Sequence, residues 1–191
     1  MNVQKRDAVF DQYIRNHHLP EINRTLRILN PKRDSIRIPY AQFLFSIIDY
    51  FSLLYVASLE GNNFRKTDKQ NFYKFFKSKY FPEKDRNKAA IIYFIRNGVM
   101  HQIFPKKAGL NTINSDVLIY RSEDSILNLN YLESLVLKAI ENFIRDIEND
   151  SEAIDRMHKV LIAENYIFND DIDFKNLITN EYDGNKDLIY S

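Results

Sequence analysis

Cysteine and tryptophan are both missing from the 191 residues, and only four glycines and five prolines interrupt them. Without cysteine there is no disulfide staple, thiolate zinc site or cysteine nucleophile, and the composition fits a reducing compartment. So few glycines and prolines exclude collagen-like repeats and low-complexity linkers, and leave room for long helices. Neither sign of charge is in excess, with 27 Lys+Arg against 26 Asp+Glu. What remains is 45% hydrophobic and 28% charged, a globular balance that argues against disorder. At about 100–200 residues per domain, one compact domain is expected.

The near-neutral total conceals a division. Residues 1–110 carry 20 Lys+Arg against 9 Asp+Glu, and residues 111–191 carry 7 against 17. A basic half can serve a polyanion such as nucleic acid, or the two halves can neutralise each other within one fold; charge alone leaves both readings open. The start, MNVQKRDAVFDQ, has no apolar run after its basic residues, so a secretory signal is not expected and the cytoplasm is. The stretch from Ile38 to Leu59 approaches membrane-spanning length. It contains Pro39, Gln42, Ser46, Asp49 and Ser52, and the acid near its centre predicts a buried core helix rather than a membrane span. Having no broad polar face, that helix should be surrounded by other helices or by a partner subunit.

Around it the pattern predicts mostly helices. An opening helix is expected over 4–16 and a second after Pro20, with Ile22, Leu26 and Leu29 on one face, ended by Asn30-Pro31. Thr67 or Asp68 is placed to cap a helix bearing Phe72, Phe75, Phe76 and Tyr80, with the intervening lysines in solvent. Pro82 breaks the chain before a helix over about 85–103. Residues 105–115 read as a loop, and DVLIYR and SILNLN as a small β-hairpin, an ornament on the helices. From Tyr131, Leu132, Leu135, Val136, Ala139, Ile140, Phe143, Ile144 and Ile147 recur at spacings of three and four, the clearest helix in the chain. Another follows at about 152–163. The fold class expected is all-α, with residues 1–150 as one helical domain, including an extension over about 1–35. Residues 151–191 form a helix and acidic tail packed on it or trailing it.

The sharpest chemical pattern is RNGVMH, in which Arg96 is followed by Asn97 and, after four intervening residues, by His101. An arginine and a histidine at loose spacing are common, and the added asparagine sharpens the pattern. Arginine neutralises phosphate and histidine moves protons near neutral pH. Together they suit cleavage of RNA by its own 2′-hydroxyl, which needs a base, an acid and a cation for the crowded phosphorane, and no metal. At about 100° per residue, Arg96 and His101 stand about 140° apart on one helix, so a straight helix is not expected to converge them easily. Two helices crossing at a two-fold axis would gather both pairs around one phosphate, with Gly98 permitting close approach. The bland alternative is that Arg96 pairs with a carboxylate and His101 packs at a helix end.

These residues, late in a helical bundle, resemble the signature of the HEPN superfamily: Arg, often with a polar neighbour, then His after four to six residues. The resemblance extends over residues 36–148. It implies a HEPN-like helical bundle with the hairpin inserted before the long closing helix, and a metal-independent endoribonuclease acting as a homodimer on RNA. The family's toxins and anti-phage effectors extend the implication to an antitoxin or other regulatory partner. By the same resemblance Arg96 and His101 take the catalytic positions and Asn97 the adjacent polar one, with no cofactor and no metal. The family also holds inactive members, so a dimeric module that binds nucleic acid or protein without cleavage is the alternative. The hairpin and the chain beyond Asp150 depart from the pattern.

Other residues support either a functional or a structural reading. Tyr93 stands three residues before Arg96, where it can stack on a base or pack in the core. Lys106 and Lys107 follow the motif and can hold flanking phosphates or be merely solvated. Asp49 can bond a buried tyrosine or meet a cation near the motif. His17 and His18 read as a surface helix end, His158 as an exposed helix residue, and Asp170, Asp171 and Asp173 as an acidic loop. No phosphate loop, nucleophile elbow or His-rich metal motif occurs, so kinase, hydrolase and zinc-enzyme readings lack support.

Overall fold

The computed structural model describes residues 10–32, 34–61, 68–102, 108–112, 116–120 and 125–163. A π-helical segment, Phe10–His18, runs directly into α1, Leu19–Leu29. Pro20 does not separate them: His18 before it keeps helical dihedrals, φ −67° and ψ −45°, and the proline stands where the π-helical segment gives way to α-helix. Leu26 of α1 is buried, with Ile22 and Leu29 packed against the core, and a short 3₁₀ turn, Asn30–Lys32, ends this arm.

The apolar stretch forms α2, Arg37–Glu60. It has the length and composition to cross a membrane, but 61% of its most apolar window is buried inside the protein, as in a core helix. Helices α3 (Asp68–Phe76), α5 (Ala89–Gln102), α6 (Leu129–Ile147) and α7 (Ser151–Ala163) all pack on it. Gly61 ends α2 at φ +52°, and a Cβ there would come within 2.9 Å of Arg156 Cγ. Glycine is required on both counts. The Arg156 Nε donates to Ser58 O at 2.6 Å, so α7 is fastened over the end of α2.

Phe72, Phe75 and Phe76 of α3 are buried as expected, but the helix ends at Phe76, short of Tyr80. Tyr80 instead lies in the turns beyond, its hydroxyl donating to Asp146 Oδ2 at 3.2 Å. The helix expected over 85–103 is divided into a single turn, α4 (Glu83–Arg86), and α5. A polar knot marks the division. Asp85 is fully buried, takes a hydrogen bond from Tyr131 Oη at 3.2 Å and faces Lys88 Nζ at 3.4 Å, while Lys88 also reaches Asp116 at 3.0 Å.

The hairpin forms as an antiparallel pair, β2 (Leu118–Tyr120) with β3 (Ser125–Asn128). Two expectations about this region are overturned. Residues 105–115 are not all loop, since Ala108–Asn111 form β1, parallel to β3, in a three-stranded sheet of order β1-β3-β2. AGLN has no alternating pattern of its own and is a strand because it completes the second edge of β3. Nor is the sheet an ornament: Val117, Leu118 and Leu127 are core residues. Asn128 closes β3 and caps α6, its Oδ1 accepting from Tyr131 N at 3.3 Å. The expected apolar positions of α6, from Leu132 to Ile147, are all buried. Asp150 caps α7 by accepting from Glu152 N and Ala153 N.

Ion pairs join the basic and acidic halves: Arg15 with Glu148, Lys79 with Asp146 at 2.6 Å, and Lys88 with Asp116. Part of the charge division is therefore neutralised within the fold, although a solvent-exposed pair such as Lys79–Asp146 is worth only about 0–1 kcal/mol.

His158 of α7 is 6% exposed, not a surface residue, and its Nδ1 has no hydrogen-bond partner. The helix turns that position inward because Ile154, Met157 and Leu161 share its face. Burial holds its pKa below the ordinary value of 6.5, against a smaller upward pull from Asp155. A depressed histidine contributes stability above the unfolded-state pKa and loses it as the pH falls, because the unfolded chain then binds the proton more readily. Thermal unfolding followed from pH 8 to pH 5 should show a fall in Tm below about 6.5 that is reduced in His158→Leu. An equal fall in that variant would assign the acid sensitivity elsewhere.

Candidate functional site

The motif occupies the second half of α5, where it faces α2. Apolar positions set this orientation: Ile92, Ile95 and Val99 are buried and fix the roll of α5. Gln42 Nε2 donates at 3.1 Å to Val99 O, one of the final-turn carbonyls of α5 that a helix leaves unsatisfied. The motif helix is thereby tied to α2.

Arg96, only 5% exposed, is held on nearly every side. Its Nε and Nη2 donate to Asp49 Oδ2 at 3.1 and 2.5 Å. Nη1 donates to Asn97 Oδ1 at 3.0 Å and stands 3.4 Å from His101 Nε2. Asp68 lies 3.9 Å from Nη2, and the guanidinium carbon sits 5.6 Å from the Tyr93 ring centroid. The arginine thus pairs with a carboxylate, as the structural alternative required, and still keeps one nitrogen turned toward Asn97 and His101.

The expectation that one straight helix would not bring Arg96 and His101 together is overturned. Their Cα positions diverge, but the two long side chains meet, Arg96 Nη1 coming within 3.4 Å of His101 Nε2. A guanidinium only donates, so a hydrogen bond across this contact requires the lone pair of Nε2. His101 itself is exposed. The cluster therefore presents a reachable imidazole beside a buried, fixed cation.

Burial pushes the Asp49 carboxyl above its ordinary pKa, partly offset by the hydrogen bond and charge of Arg96. Its second oxygen, Oδ1, is buried without a hydrogen-bond partner. Of the two roles foreseen for Asp49, meeting a cation is the one observed. Gln42 and Asp68 are not read from sequence as site residues; Asp68 reads only as a candidate helix cap, and Gln42 only as a polar interruption of the apolar stretch. A signal existed for the first, because Gln42, Ser46 and Asp49 lie within about 60° of one another on an otherwise apolar helix.

No protein-family model, curated protein or solved structure matches this chain.

The remaining candidates separate. Tyr93 is half-buried with its ring 5.2 Å from Phe72 and 5.5 Å from Tyr73, so it packs as part of the aromatic core and lies under Arg96. Lys106, Lys107, Asp170, Asp171 and Asp173 fall outside the described residues. His17 is exposed, whereas His18 is half-buried, with Nδ1 2.5 Å from Tyr50 Oη. Among the described residues no group of three or more His, Asp or Glu is arranged to hold a metal.

Proposed function

We propose that this chain is a metal-independent endoribonuclease of HEPN type, active in the cytoplasm as a homodimer. The observation that carries the reading is the convergence of Arg96 Nη1, Asn97 Oδ1 and the exposed His101 within 3.4 Å. A neutral Nε2 has the lone pair that a general base needs to take the 2′-hydroxyl proton. Arg96 supplies fixed positive charge for the phosphorane, and being held already by Asp49 it needs no reorganisation to do so. Asn97 keeps the guanidinium edge turned toward the imidazole.

One histidine per chain leaves the 5′-oxygen without an acid, and a two-fold partner supplies the second imidazole. The outward face of α5 suits that contact, since Phe94, 48% exposed, shares it with Asn97 and His101. Lys106 and Lys107, five and six residues after His101 in sequence, would add charge for flanking phosphates, making affinity fall as salt rises. A toxin or anti-phage role, with an antitoxin or other regulator as partner, accords with such an activity. Tyr93 contributes by bracing Arg96.

A second reading has its own support. An arginine 5% exposed and paired with Asp49 is also what a purely structural ion pair looks like, and the fold then serves as a dimeric module that binds nucleic acid or protein. Incubation of the purified protein with mixed RNA in EDTA distinguishes the two. Cleavage to fragments with 2′,3′-cyclic phosphate and 5′-hydroxyl ends is expected. Intact RNA with and without Mg²⁺ would leave the binding module ahead, and strict dependence on Mg²⁺ would refute the mechanism.

A further inference from the structure

An apolar slot of about 280 Å³ lies between α1 and α2. Ile22 of α1 and Phe43, Ile47 and Tyr50 of α2 wall it, and the hydroxyls of Thr25 and Ser46 stand at its rim. The slot adjoins the motif. On α2, Gln42, Ser46 and Asp49 span about 60° and face α5, while Ser46, Tyr50 and Phe43 span about 60° and face α1. Ser46, which is exposed and lines the slot, belongs to both faces and lies one turn of α2 from Gln42 and from Asp49, the partner of Arg96.

We propose that the slot receives one unpaired nucleobase of the RNA strand whose scissile phosphate lies at Arg96 and His101. This inference rests on the nuclease reading and adds a subsite to it. Aromatic and aliphatic walls are what a base face stacks on, and the rim hydroxyls meet its polar edge. The Ser46 hydroxyl already donates to Gln42 O at 2.9 Å and keeps its lone pairs for a base amino group. At about 280 Å³ the slot is smaller than most pockets for drug-sized ligands, which run about 300–1,000 Å³, and too small for a partner helix about 10 Å across.

The electrostatics favour a base over a phosphate. Burial, with the neighbouring charge of His17, holds His18 below its ordinary pKa, so the ring beside Tyr50 is neutral near pH 7. The charged residue that lines the slot besides the two histidines is Glu21, paired with Arg24 at 3.6 Å, so the lining offers no lysine or arginine for an anion. The phosphates are left to Arg96, and the slot selects the uncharged part of the nucleotide.

The test uses the full chain and single-stranded 2′-O-methyl RNA, which lacks the attacking hydroxyl, with one 2-aminopurine stepped along the strand. Affinity is read by anisotropy of an end label at low salt. Quenching of 2-aminopurine is expected at one position, and Thr25→Phe, which fills the slot, should abolish it and weaken binding about 10-fold. If Thr25→Phe does not fold, Ser46→Phe at an exposed position blocks the same mouth. Binding without quenching at any position, or full quenching in a folded slot-filling variant, overturns the slot and leaves the nuclease reading intact. If no strand binds at any ionic strength, both fail together.

Discussion

His101→Ala is expected to lose RNA cleavage by about 10²–10⁴-fold, the usual contribution of a general acid–base group. The fold should be untouched, because an exposed side chain whose described bond is a 3.4 Å contact to Arg96 contributes within about 0.5 kcal/mol to stability. Initial rates on a defined RNA in EDTA, alongside a thermal melt, measure both. Mixing His101→Ala with Arg96→Ala protein should restore little activity if each phosphate needs both histidines. Full cleavage by the His101→Ala protein would remove the imidazole from the mechanism, and with it the argument for a dimer.

The largest effect on stability should come from Asp49→Ala. The substitution strands a guanidinium that is 5% exposed, leaving it Asn97, the contact to His101 and a carboxylate 3.9 Å away. Breaking a buried pair from one side costs about 3–5 kcal/mol, and the partial exposure of Asp49 favours the lower end. For a chain of this size about 3 kcal/mol corresponds to a fall in Tm of about 6–12 °C. Arg96→Met should cost less, since the stranded group is then a carboxyl that burial already pushes toward its neutral form. A carboxyl with a raised pKa favours the folded state at acid pH and loses that contribution as the pH rises through the shifted value, so the penalty in Arg96→Met should shrink toward acid. The double variant, Asp49→Ala with Arg96→Met, should cost less than the sum of the two single substitutions, because neither charged group is then left without its partner. Additive penalties across this cycle would show that the two side chains are not coupled.

What could be read from the sequence was whatever local periodicity encodes. The apolar repeat of α6 and the long α2 were legible because each buries a regular set of positions, and Asn97 with His101 was visible as a motif. The parallel pairing of β1 was not, because AGLN has no strand signal until β3 is beside it. His158 was misplaced because a lone histidine among apolar neighbours reads as polar, whereas its helix face is decided by the residues around it. The meeting of Arg96 with His101 was missed for a different reason. Angular position on a helix locates Cα atoms, and a side chain as long as arginine reaches well beyond its own sector.

The placement of Asp49 on α2 carries a consequence for motion. Four helices pack on α2, so its backbone amides are expected to be among the slowest in the molecule to exchange with solvent. Beyond the tie at Val99, the last residues of α5, His101 and Gln102, are exposed, and their amides are expected to exchange faster. Slow exchange along α2 beside faster exchange at His101 and Gln102 would mean that the carboxylate holding the cation and the imidazole beside it fluctuate on different timescales.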